Sequence, residues 1–353
     1  MRKCVLRFAL LLLLAAGLTR AGETDPQAAS SASDQAAIQE AASWIVDTGT
    51  PQAEYQYVMT CRVRLLLFWA GKDDVGGGFV RIGEVGGKEH RQVVQVLFGS
   101  DPSKAPMSIN RWGAGTEVLR DAGSPHAASA FFGFMKSSKG QSPLAMRSEL
   151  SKEKAEGNHL FEGIISRVDD RALSTTVPYV TDRDFDLHQY PEAEKATLQQ
   201  LENNPSRRIR RLDPASRQVC PSSKQFLSTT LDLISDALSG HATPDSVCYI
   251  YNTHHHHVAL TNVHPVAERN IHVALHGNAG SLDRTYHNLQ QAHFEVSCEE
   301  TGSKSSFEIL LGTDGSRRGV PVQITYSPNW WFQVILNLTS APPAAGNPVA
   351  ANE

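Results

Sequence analysis

Nine of the fourteen histidines fall between His254 and His293, and His254-His255-His256-His257 is unbroken. Neutral imidazole nitrogens capture borderline metals, so zinc or copper is what such a segment would take. In one continuous strand alternate side chains share a face about 7 Å apart, so His254 and His256 would point one way and His255 and His257 the other. Two such imidazoles can converge on an ion, with further ligands from neighbouring strands at His264, His272 or His276. The spacing therefore predicts His254, His256 and His272 as the metal-ligating set. On the same reading Cys248 shares the His254 face but lies about 20 Å along it, which excludes a mixed Cys–His cluster. The competing reading is a polar strand end at the surface with no metal. His272-Val273-Ala274-Leu275-His276 has the spacing of a zincin helix but lacks its glutamate. Ile271 and Val273 favour a strand, where those two histidines stand about 13 Å apart.

Other chemistry is sparse. Gly76-Gly77-Gly78 is followed by no Lys-Ser/Thr and is no phosphate loop; a bulge or tight β connection explains it. No G-x-S-x-G elbow occurs, so a hydrolase would have to assemble its site in space, and the sequence names no catalytic residue. Trp330-Trp331-Phe332 and Phe68-Trp69 read either as core and sheet-edge packing or as the lining of an apolar pocket.

The chain has 33 basic and 37 acidic side chains, with 20% charged and 41% hydrophobic residues. That balance excludes a disordered polyelectrolyte and a chain of membrane helices. Arg2, Lys3 and Arg7 precede the apolar run Phe8 to Leu18, and Thr19-Arg20-Ala21 offers a small-residue cleavage site. Residues 1–21 are thus expected to be a signal peptide, leaving a periplasmic or secreted product without a transmembrane segment. Removal of Arg2, Lys3, Arg7 and Arg20 leaves 29 basic against 37 acidic groups, a charge of -8, which argues against a nucleic-acid partner. The basic run Arg207-Arg208-Ile209-Arg210-Arg211 reads as a solvated loop. Cys61, Cys220, Cys248 and Cys298 remain, and they allow three disulfide pairings or buried free thiols.

Residues 22–52 read as a linker carrying a short helix from Ser33 to Ile45, with Ile38, Ala41, Ala42 and Ile45 on one face. Residues 53–340 form a β-rich domain, divisible into halves at about 53–180 and 220–340, and 341–353 form a tail without apolar periodicity, expected to be disordered. Strands are expected from Tyr55 through Leu65 into Leu66-Leu67-Phe68-Trp69, then at 79–82, 92–98, 160–168, 175–180, 247–252, 294–297, 307–311, 320–326 and 331–338. Helices are expected over 191–201 and 226–238, the latter with Leu227, Leu231, Ile234 and Leu238 on one stripe. Strands without βα alternation predict a mainly β fold: an antiparallel sheet forming an open or closed barrel or sandwich, with a few packed helices.

The Tyr55-x-Tyr57 strand, Val75-Gly76-Gly77-Gly78, and the order of the last third carry a resemblance. In that third the 226–238 helix is followed by Phe307-Glu308-Ile309-Leu310-Leu311 and Val320-Pro321-Val322-Gln323-Ile324. The chain resembles an uncharacterised family of exported bacterial β-sheet proteins, a domain of unknown function, from which it departs by a long insert at about 119–216. The resemblance implies export and a β fold, and it brings no catalytic residues. The leading reading is a non-enzymatic exported protein that needs no cofactor and binds an apolar small molecule or an envelope protein. The alternatives are the zinc or copper site and the unlocated hydrolase.

Overall fold

In the computed structural model the described residues are 31–46, 48–65, 68–85, 91–105, 108, 110–122, 124–136, 159–169, 172–181, 187–203, 209–212, 220, 224–239, 245–252, 254–274, 280–329 and 331–340. The expected signal peptide, the 341–353 tail, His276 and the Trp330 and Phe68 side chains lie outside them.

The described residues form fourteen strands, most of them on β-branched and aromatic runs. The first group is β1 (Pro51–Leu65), β2 (Phe68–Val85), β3 (Arg91–Ser100), β4 (Arg111–Ala122), β5 (Ser124–Lys136), β6 (His159–Val168), β7 (Ala172–Thr181) and β8 (Ile209–Arg211). The second is β9 (Val247–Tyr251), β10 (His254–Ala274), β11 (Ser281–Cys298), β12 (Ser303–Gly312), β13 (Pro321–Asn329) and β14 (Phe332–Ser340). Every sequential neighbour within each group pairs antiparallel, and β1 pairs with β14 to join the groups into one fourteen-stranded sheet. The fold is mainly β and antiparallel, as expected. It is open, because β8 and β9 end the sheet and do not pair with each other. Instead Cys248 and Ile250 of β9 pack with Val168 and Ala172 of β6 and β7, so one edge overlaps the other. The Cys220–Cys248 disulfide lies at this overlap, while Cys61 and Cys298 are free thiols. One disulfide thus forms, and of the two free thiols Cys298 is buried and Cys61 half-buried.

Three helices cover the two faces. Helix α1 (Ala32–Val46) and α2 (Tyr190–Asn203) match the expected segments within three residues at each end. They bury Ile38, Ala41, Ile45, Ala193 and Leu198 against Val93, Leu97, Trp112, Val118, Phe132 and Ile165 on what is here the outer face. Helix α3 (Phe226–Ser239) lies against the opposite, inner face, where Leu233 and Ile234 meet Tyr249, Phe294 and Phe307.

Several expectations change. The apolar run from Leu65 to Trp69 is not one strand: Leu65 pairs with Phe68, so the chain reverses there. Gly76-Gly77-Gly78 sits inside β2 rather than between strands, next to a register shift at Met59/Cys61. The expected Arg207–Arg211 loop contains edge strand β8, and Arg211 Nε donates to Asp34 Oδ2 of α1 at 2.6 Å. The strands expected from sequence include neither β4 nor β5.

Candidate functional site

Alternation along β4 turns Arg111, Gly113, Gly115 and Glu117 to the inner face, and Trp112, Ala114 and Val118 to the outer core. Glu117 fixes α3. Its carboxylate accepts from the backbone N–H groups of Leu227 and Ser228 at 2.7 and 2.9 Å, and from the Ser228 hydroxyl at 2.9 Å. The first N–H groups of a helix lack partners within it, and an acid there also meets the positive end of the helix dipole. Across the pair β4–β5, Ser129 donates to Gln225, just before the helix starts. Glu117 is 1% exposed, and burial raises its pKa to about 7 against the lowering effect of those three donors.

The glycines make space beside the anchor. A Cβ at Gly115 would stand 2.7 Å from Cε1 of Phe131, so only glycine lets that ring lie across β4. Between α3 and the sheet remains a cavity of about 180 Å³. Phe226, Leu227, Leu231 and Ile234 line it from the helix, and Val96, Met59, Ile309 and Leu336 are among the facing sheet residues. Of the expected stripe Leu227, Leu231, Ile234 and Leu238, only Ile234 is fully buried. Leu227, Leu231 and Leu238 are half-buried, and the first two border this space.

Arg111 opens into the same cavity and is the only charged residue among those lining it. It is 2% exposed, and its Nε and Nη1 are sealed from solvent without a hydrogen-bond partner among the described residues. Its backbone is well held, since Arg111 N donates to Ser100 Oγ at 3.0 Å. Burial alone pulls its pKa down to about 10, which leaves it a cation at neutral pH. Sequence reasoning missed Arg111. After Trp112 the run Gly113-Ala114-Gly115 has low strand propensity, so the alternation that aims Arg111 inward is not visible in the sequence.

Of the aromatic runs, the described side chains Trp69, Trp331 and Phe332 are not among the residues lining the cavity. Trp69 is 40% exposed, and Phe332 packs half-buried against the core beside β1 and β14.

The histidines are distributed rather than gathered. Asn252, with φ of 48°, turns the chain between β9 and β10, so the His run is not a continuation of the strand before it. His257 stands opposite Cys248, and Cys248 faces the β6–β7 overlap while His256 faces inward. Cys248 and the His254 side therefore occupy different faces, which corrects the single-strand register. His256 is 1% exposed, stacked on Tyr249 at 5.4 Å and edge-on to Tyr251 at 5.7 Å. His254 and His255 both reach Glu300, the latter at 3.4 Å. His272, near the far end of β10, meets Asp283 at 2.7 Å. The expected trio His254, His256 and His272 thus has three separate sets of partners. Among the described residues no group of three His, Cys, Asp or Glu side chains could hold a metal ion.

No helix among the described residues is long and apolar enough to cross a membrane, a statement that leaves strands aside. No family model matches the sequence, and no curated protein matches it. Among solved structures the chain is similar to the crystal structure of a beta-barrel-like protein of Domain of Unknown Function DUF1849 from Brucella abortus. The TM-score is 0.36 at 8% identity, over 83% of this chain and 98% of that one. That structure brings no functional residue to this chain.

Proposed function

We propose that the protein is an exported, non-enzymatic binding protein that shelters a small apolar ligand between α3 and the inner face of its sheet. The observation that carries this reading is the 180 Å³ cavity walled by aliphatic and aromatic side chains. Its volume is near the ~150 Å³ of an engineered apolar cavity that takes up benzene, and below the ~300 Å³ at which drug-sized pockets begin. The ligand is therefore a short chain or a single ring. The disulfide Cys220–Cys248 and the N-terminal apolar run support an oxidising compartment outside the cytoplasm.

The test is calorimetric titration of purified untagged protein with toluene, a single ring, alongside mass spectrometry of its organic extract. Saturable binding is expected, and Leu231→Trp, which fills the space from α3, should abolish it while the thermal midpoint is kept. Binding that survives in Leu231→Trp would place the apolar site elsewhere.

A further inference from the structure

An apolar cavity alone would accept any greasy ligand, but this one carries a buried positive charge. Taking a cation out of water without a counter-ion is costly, and buried charges are ordinarily paired. Arg111 is not: its Nε and Nη1 are enclosed without acceptors among the described residues. The carboxylate of β4's inner face, Glu117, is committed to the α3 N-terminus and lies six residues away, about 20 Å along the strand. The remaining polar side chains at the wall are neutral. Thr230 donates to the Phe226 carbonyl, and Tyr326 is held protonated by burial, with its pKa pushed up to about 12.

We propose that Arg111 is the head-group site of this cavity, and that the ligand is an anionic amphiphile: a single short acyl chain whose carboxylate pairs with the Arg111 guanidinium while its tail lies along α3. This deepens the apolar-ligand reading and rests on it. Guanidinium presents several donors in one plane, which matches the two oxygens of a carboxylate. The ligand supplies the counter-charge that the fold omits, and the tail gains burial against Leu227, Leu231 and Ile234.

The experiment compares decanoate with decanol, each below its aggregation concentration at neutral pH, by calorimetry. Decyl phosphate serves as a third arm to separate a carboxylate site from a general anion site. A charged hydrogen bond made in a buried site predicts that decanoate binds at least about tenfold more tightly than decanol. Arg111→Met should erase that preference while decanol still binds. Its thermal midpoint without ligand should equal or exceed that of the parent, because an unpaired buried cation has been replaced by an apolar chain of similar length. Equal binding of decanoate and decanol by the parent protein would overturn the head-group proposal and leave the apolar site standing. Decyl phosphate binding more tightly than decanoate would overturn the carboxylate assignment. Binding of none of the three would sink the apolar site and the head group together. The parent comparison needs no variant, so a failure of Arg111→Met to fold does not remove the test.

Discussion

Two buried titratable side chains give the protein opposite responses to pH. His256 has neither ring nitrogen hydrogen-bonded, and burial, followed by its three histidine neighbours, drops its pKa to about 3. The unfolded chain then binds a proton that the folded chain refuses, so stability falls as pH drops from about 6.5 toward 3. Glu117 behaves the other way. With its pKa raised to about 7, the folded state holds a proton that the unfolded carboxyl has released, so its contribution is full below about 4.5 and is lost as pH rises through 7. Glu194 on α2, also raised to about 7 by burial, adds to that second slope. His256→Phe keeps the stacking on Tyr249 and removes two unsatisfied nitrogens. It should stabilise the protein by roughly 1–3 kcal/mol at neutral pH and flatten the acid side of a urea-midpoint profile; an unchanged acid limb would contradict this assignment. Glu117→Gln retains an acceptor for the α3 N–H groups and should remove up to about 3 kcal/mol of the decline between pH 4.5 and 7. Chemical denaturation across that interval checks it.

The strands differ in how openly the sequence announces them, and the difference is physical. β3, β6, β12 and β14 are rich in Val, Ile, Leu and Phe, and their β-branched and aromatic residues are the ones enriched in strands. β4 and β5 carry the small-residue stretches Gly113-Ala114-Gly115 and Ala127-Ala128-Ser129-Ala130, and small residues carry no strand signature. The strand that bears Arg111 and Glu117 is therefore the least legible, and with it the cavity's charged end. The His run misleads for another reason. Asn252 adopts the left-handed conformation at the reversal between β9 and β10, and an Asn so placed is a hairpin signal that outranks the polarity of the four histidines after it. The glycine triplet is conspicuous in sequence, but its position within a strand is not. A Cβ at Gly78 would stand 1.7 Å from the carbonyl oxygen of Leu97, on the neighbouring strand. The triplet lets β2 lie close to β3 at Gly76 and Gly78 and to β1 at Gly77, within a strand rather than at its end. Gly78→Ala should accordingly cost at least about 2 kcal/mol, since relief requires moving backbone and no side chain can give way. Urea unfolding with an unchanged slope would measure it, and a loss within about 0.5 kcal/mol, the level of an ordinary surface change, would show that the sheet can relax there.

A fourteen-stranded sheet that does not close must manage two free edges, which otherwise invite pairing with another chain. Here the solution is overlap. Val168 and Ala172 near one edge meet Cys248 and Ile250 on the other, Ser174 donates to Asn252 at 2.9 Å, and Cys220 ties β9 to the chain between β8 and α3. No backbone ladder among the described residues spans this seam; what joins it there includes a small apolar cluster, the Ser174–Asn252 contact, the disulfide and the edge-on packing of Phe131 on Tyr251 at 5.1 Å. The β1–β14 junction, by contrast, is a full antiparallel ladder from Gln56 to Val63 and joins the two halves of the sheet. The seam is thus where the molecule should open first, and the disulfide is what limits that opening. Closing a 28-residue separation restricts the unfolded chain by about 3–4 kcal/mol in the chain-entropy account. Reduction, or Cys220→Ser with Cys248→Ser, should lower the unfolding free energy measured in urea by that order. Hydrogen exchange should then quicken in β9 and at the β6–β7 turn while β1 and β14 stay protected. Because β9 also carries Tyr249 and Tyr251 onto the packing of α3, opening the seam should loosen the helix and weaken ligand binding in the cavity that it caps. Uniform loss of protection across both halves would instead mean that the sheet unfolds as one unit and that the overlap has no separate stability.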